Sequence, residues 1–138
     1  NAGMSSRFKT VNFADFSQDQ IAAIWSKNCK DNAFKCERDV TNVAARRIAR
    51  GIGRKGFGNA RSVRQLFERA ASEAKMRFRP GKEPPQILVE DVIGKPPDRA
   101  KNAELDKWLR KLEQLTGLSK VKQAVNQLLE TAKANYDK

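Results

Sequence analysis

Apolar side chains recur at helical spacing in five separate stretches of this chain, and the residues between them carry the signals of helix ends. Ile21, Ile24, Trp25 and Cys29 form the first stripe. Ser17 precedes it as a cap, Gln20 completes a capping box and Phe16 can staple onto Ile21, while the polar run Lys30 to Asn32 ends the helix. A second helix is predicted from Glu37 or Arg38 to Arg50, burying Val40, Val43, Ala44 and Ile48 and stopping at Gly51. Ala60, Val63, Phe67, Ala70, Ala71 and Ala74 place a third after the good N-cap residue Asn59, ending near Arg79-Pro80-Gly81. Pro84, Pro85, Pro96 and Pro97 bracket a short segment from Ile87 to Ile93. Beyond it, Leu105, Trp108, Leu109, Leu112 and Leu115 make one stripe and Gly117 breaks it. Ser119 then caps a helix carrying Val121, Val125, Leu128, Leu129 and Ala132. The short connection predicts a hairpin. The fold class is therefore all-α, with residues 1–16 read as loop and extended chain.

The most informative stretch joins the second and third helices. Gly51-Ile52-Gly53-Arg54-Lys55-Gly56 satisfies a dinucleotide-binding pattern, but that pattern carries meaning only between a buried strand and a helix, and here it follows an arginine-rich amphipathic helix. The glycines are better read as ending one helix and letting the backbone approach the next. Arg61 then falls in the first turn of the third helix, where the helix dipole disfavours a cation. An anion between its guanidinium and the free backbone N–H groups resolves that conflict, and phosphate is the obvious candidate.

Gly58-Asn59-Ala60-Arg61, with Val63, Leu66, Phe67 and Ala70 after it, resembles the "GNAR" segment in the helical lid of AAA+ ATPases of the stage V sporulation protein K and CbbX type. Asn1-Ala2-Gly3-Met4-Ser5-Ser6-Arg7-Phe8 is similar to that family's "NPGLxSRF" segment, with Ala2 where proline is usual. Phe13, Asp15 and Phe16 resemble its "FxDY" patch, and Glu90-Asp91-Val92 the last short element of its lid. Leu115-Thr116-Gly117-Leu118-Ser119-Lys120-Val121-Lys122 resembles the "LxGLxxVK" helix that opens a further module.

The resemblance implies a junction from a larger tandem protein: an arginine-finger-like loop at 1–11, a lid-like domain at 12–93, a Pro-rich linker at 94–100 and, at 101–138, a hairpin leading into another module. It implies that Arg61 is the sensor-2 residue for the γ-phosphate, that Gly58, Asn59 and Ala60 line the same site, and that Arg7 is an arginine finger. It also implies ATP or ADP with magnesium as cofactor of the parent protein, and as partners the adjoining modules and neighbouring subunits of a hexamer.

Composition limits this picture more than it extends it. No G-x-x-x-x-G-K-[ST] occurs, nor an apolar strand ending in paired acids, so this chain by itself completes no ATP hydrolysis. Cys29 and Cys36 are the only cysteines and histidine is absent. That excludes a histidine-based triad, leaves a zinc site short of ligands and reads as two ordinary thiols in a reducing compartment. No stretch reaches the length of a membrane span and no signal-peptide pattern opens the chain, so a cytoplasmic location is expected. The net charge is +12, and residues 46–82 alone hold twelve Lys and Arg against Glu68 and Glu73. Such a field draws polyanions, so weak nonspecific binding of nucleic acid, or a basic helical nucleic-acid-binding or protein-interaction domain, is the alternative function. Arg46, Arg47, Arg50, Arg54, Lys55 and Arg64 read as a solvated basic face. Trp25 and Trp108 lie on apolar faces, where core packing is expected rather than base stacking.

Overall fold

The computed structural model describes residues 9, 11–79, 81 and 83–138, so the expectation for Arg7 lies outside the described residues. Six helices are described: α1 (Gln18–Asp31), α2 (Arg38–Ala49), α3 (Ala60–Arg77), α4 (Val89–Ile93), α5 (Ala103–Gln114) and α6 (Ser119–Ala134). Two very short strands, β1 (Lys35–Cys36) and β2 (Gln86–Ile87), pair in parallel with Lys35 opposite Gln86 and Cys36 opposite Ile87. The all-α expectation holds.

The first helix begins as its sequence dictates. Ser17 Oγ accepts from the Gln20 N–H at 3.2 Å and Gln20 Oε1 accepts from the Ser17 N–H at 2.9 Å, which satisfies two backbone donors that the helix start leaves free. Ile21, Trp25 and Cys29 then turn inward. Trp25 and Phe34 each meet the Phe67 ring edge to face, with centroids 5.8 and 5.9 Å apart. Such pairs add about 0.5–1.5 kcal/mol each beyond the area they bury. Ala44, Ala70 and Ala74 let the helix backbones approach this aromatic centre, and Val63, Ile87 and Val92 close it.

The strand pair ties the α1–α2 connection to the α3–α4 connection. Pro85, which has no N–H to give, accepts from the Lys35 N–H at 2.9 Å. The C-terminal half of α3 holds the short helix α4 in place. Arg77 donates to the buried Asp91 carboxylate and to the Gln86 carbonyl, Asp91 accepts the Leu88 N–H at 2.8 Å, and Arg69 reaches the Val92 carbonyl at 3.4 Å.

Outside this bundle the packing thins. In α5 only Leu109 is buried, while Trp108 is 59% exposed with the Lys111 ammonium 4.4 Å above its ring. The expected core role of Trp108 therefore fails: Leu109 takes the inward position and Trp108 stands on the flank. Asn102 caps α5 through the Leu105 N–H at 3.2 Å, and Arg99 bonds Asp106 and Glu113, strapping the preceding loop onto the helix. Ser119 does not cap α6. It is the first helical residue, and Leu118, in the left-handed region at φ 57°, stands before it. No residue of α6 is buried and Leu128 is 70% exposed, yet its C-terminal end returns to the bundle. There Arg46 and Arg50 donate to the carbonyls of Asp137 and Lys138, and the Tyr136 hydroxyl donates to that of Gly94.

Candidate functional site

The α2–α3 connection is a tight glycine turn. Phe57 folds back onto Gly51, where a Cβ would lie 2.6 Å from the ring, and Gly53 and Gly56 take φ of 75° and 84° that side chains resist. No strand leads into this turn, so the dinucleotide-binding pattern is empty of meaning here. Gly58 then lies directly beneath Arg61. A Cβ on it would meet the Arg61 Cβ at 3.3 Å, so the glycine leaves room for the stem of the arginine.

Asn59 stands at the N-cap position of α3 but does not cap, a correction to the sequence reading. Its side chain turns the other way: Oδ1 accepts the Phe16 N–H at 2.8 Å and Nδ2 donates to Asp15 Oδ1 at 2.9 Å. The second Asp15 oxygen accepts the Gly53 N–H at 2.9 Å. These bonds hold the Asp15 carboxyl below the ordinary aspartate range, the Gly53 N–H first and the Asn59 amide second. Asn59 itself sits at φ 40°, ψ −111°, a conformation that a non-glycine residue keeps only when its surroundings impose it.

With Asn59 diverted, the first turn of α3 is open. The Arg61 N–H bonds the Gly58 carbonyl at 2.7 Å, but no acceptor among the described residues meets the N–H of Ala60 or Ser62. Arg61 and Arg64 are exposed, and neither guanidinium has an acceptor among the described residues. Together with Ala60 they line an open depression of about 370 Å³, walled on the far side by Ile24 and Asn28 of α1. Two cations and free N–H donors at a helix start, with no carboxylate lining the depression, match a phosphate-bearing anion. Of the predicted site residues, Ala60 and Arg61 line the depression, whereas Gly58 lies beneath Arg61 and the Asn59 side chain turns away toward Asp15 and Phe16. Arg64, assigned by sequence to a solvated face, belongs with Ala60 and Arg61.

The rest of the basic stretch is divided among other duties. Arg46 and Arg50, read as part of a solvated face, are exposed but also bond the chain end that follows α6, and Arg69 and Arg77 hold α4. Charge alone does not separate these from Arg61. The two cysteines come together between α1 and β1, where Cys36 Sγ takes the Trp25 indole N–H at 3.4 Å and lies 3.5 Å from the Thr41 hydroxyl. The hydrogen bond from Cys29 pulls the Cys36 thiol well below the ordinary range, and the same bond, with burial, pushes Cys29 up. Among the described residues no group of three or more His, Cys, Asp or Glu could hold a metal ion, and no helix is long and apolar enough to cross a membrane.

A family model described as an AAA lid domain matches residues 17–102, which spans α1 to α4, the glycine turn and the loop up to the cap of α5. No curated protein and no solved structure matches the chain.

Proposed function

We propose that this chain, which belongs to the AAA lid domain family, is the nucleotide-sensing lid of an AAA+ ATPase, with Arg61 as the residue that reads the γ-phosphate. The observation that carries the reading is the open start of α3. There Arg61 stands beside uncapped N–H groups in a depression that also holds Arg64. The residues present fit the terminal phosphates of ATP or ADP: two guanidiniums neutralise the charge, and N–H donors give it direction. They offer no cluster for magnesium, so a metal accompanying the nucleotide takes its ligands from the nucleotide-binding core of the enzyme.

Arg61 projects from the first turn of an eighteen-residue helix whose buried face, from Val63 to Ala74, packs on the rest of the lid. Attraction of Arg61 to a γ-phosphate therefore moves the whole lid, and loss of that phosphate releases it. Through α5 and α6 the motion passes to an adjoining module, which makes the chain a connector as well as a sensor. The stage V sporulation protein K and CbbX branch is the type that the residues resemble, and Arg7, acting on the ATP of a neighbouring subunit in a hexamer, belongs to the same proposal.

The test is Arg61→Ala in the assembled ATPase that carries this lid. Turnover falls or uncouples from remodelling, since an arginine aimed at transferred phosphate is worth about 10³-fold in favourable cases. The melting temperature of the lid stays put, because an exposed first-turn arginine with no partner among the described residues adds little to stability. Unchanged turnover and unchanged remodelling would remove the assignment. The nucleic-acid alternative then moves forward, and oligonucleotide binding that survives physiological salt would establish it.

A further inference from the structure

We propose that Asp15 is the positioning residue for Arg61, a latch that keeps Asn59 away from its own helix and so leaves the phosphate-facing donors free. The inference rests on the sensing role of Arg61. It is carried by the three hydrogen bonds that close a ring between the segment before α1 and the turn before α3: Gly53 N–H to Asp15, Asn59 Nδ2 to Asp15 and Phe16 N–H to Asn59 Oδ1.

An asparagine immediately before a helix has an obvious alternative occupation. Its side-chain oxygen can accept an N–H of the first turn, and asparagine is among the best residues for this. In this chain that bond would consume a free N–H of the first turn, that of Ser62, since the Arg61 N–H already bonds the Gly58 carbonyl. The Asn59 oxygen is instead held by Phe16 and its amide by Asp15, residues more than forty positions away in sequence. The backbone shows the cost: Asn59 is held at φ 40° and ψ −111°, outside the ordinary helical and extended regions, two residues before the arginine.

Asp15 is suited to this because both of its oxygens are used. One orients the Asn59 amide, and the other fixes the glycine turn at Gly53, whose own φ of 75° exposes that N–H. Breaking the latch lets Asn59 turn toward α3 and lets the backbone at 58–60 relax. The Arg61 guanidinium then shifts relative to a bound phosphate, and displacement of a catalytic group by about 1 Å can cost on the order of 10²-fold in rate. Because Asp15 belongs to the segment leading into α1, whatever pulls on that segment also alters the readiness of Arg61.

The test is a double-mutant cycle in the assembled ATPase, with ATP as the substrate. Asp15→Ala lowers kcat by about tenfold and changes KM for ATP by less than about twofold, because the arginine is displaced rather than removed. Asp15→Asn, which keeps the shape but turns a donor toward Gly53 or Asn59, shows the same loss, and both variants melt with the parent. In an Arg61→Ala background neither substitution has a further effect. A normal kcat in Asp15→Ala when Arg61→Ala is slow would overturn the positioning role. So would an equal loss in both backgrounds, which places the action of Asp15 elsewhere. An Arg61→Ala enzyme that turns over normally overturns instead the sensing role on which this inference rests, so the two failures are distinguishable.

Discussion

The two ends of α3 are each held by an aspartate from elsewhere in the chain, and they are held for opposite purposes. At the C-terminal end Asp91 is buried, takes the Arg77 guanidinium directly and also caps α4 through the Leu88 N–H. At the N-terminal end Asp15 is exposed and touches no arginine. It holds Asn59 and Gly53 and leaves Arg61 unpartnered among the described residues. Arginines of a single helix are thus neutralised at one end and kept available at the other. The difference teaches that a count of positive charge says little about function. An arginine with a buried carboxylate beside it is structural, and one beside open N–H groups is free to meet a ligand.

The largest effect is expected at the neutralised end. Arg77→Ala leaves Asp91 buried without its counter-charge and should cost about 3 kcal/mol, read as a lowered denaturant midpoint. A loss no greater than that of an exposed surface substitution would mean the two ends do not differ. Gly58→Ala sharpens the contrast at the other end. Its Cβ would press on Arg61 Cβ at 3.3 Å, so the arginine stem must give way, and a stability change within about 1 kcal/mol is expected together with a clear fall in ATP turnover. A large loss of stability with normal turnover would show that Gly58 serves the fold and not the placement of Arg61.

Arg61→Ala in the isolated chain is expected to change stability by less than about 0.5 kcal/mol, several times less than Arg77→Ala. Equal values for the two would break the comparison outright. The smallest effect concerns acid. The folded pKa of Asp15 is depressed, so its contribution is present above the ordinary aspartate pKa of about 3.9 and is lost as pH falls through the lower folded value. The amide shift of Gly53, followed by NMR, should therefore hold through pH 4 and move only in stronger acid. A transition centred at or above the ordinary value would show that the latch does not form in solution.

Much of the fold was legible because its signals are local. The Ser17 to Gln20 capping box, the stripes of α1, α2 and α3 and the stops at the polar run Lys30 to Asn32 and at Gly51 lie within a few residues of what they control, and the helices form where those patterns place them. The helical lid and the place of Arg61 in the first turn of α3 were readable for the same reason. What failed was a side chain with two possible partners. Asn59 and Ser119 both look like caps in sequence, but Asn59 is claimed by Asp15 and Phe16 and Ser119 falls one residue inside its helix. Trp108 carries as strong an apolar signal as Trp25. What separates the two is that, among the described residues, a second packing layer covers Trp25 on α1 and leaves the Trp108 flank of α5 exposed.

The sequence by itself determined where this chain is helical, which faces are apolar and that an arginine would stand in the first turn of α3. Periodicity and capping are properties of neighbouring residues and need no knowledge of the rest of the fold. Only the tertiary structure decided which arginines are used up and which are left free. It did so because a guanidinium takes whichever carboxylate or carbonyl the packing brings within about 3 Å, and Asp91, the carbonyls at the end of α6 and the Asp15 latch reach their partners only after the helices have packed.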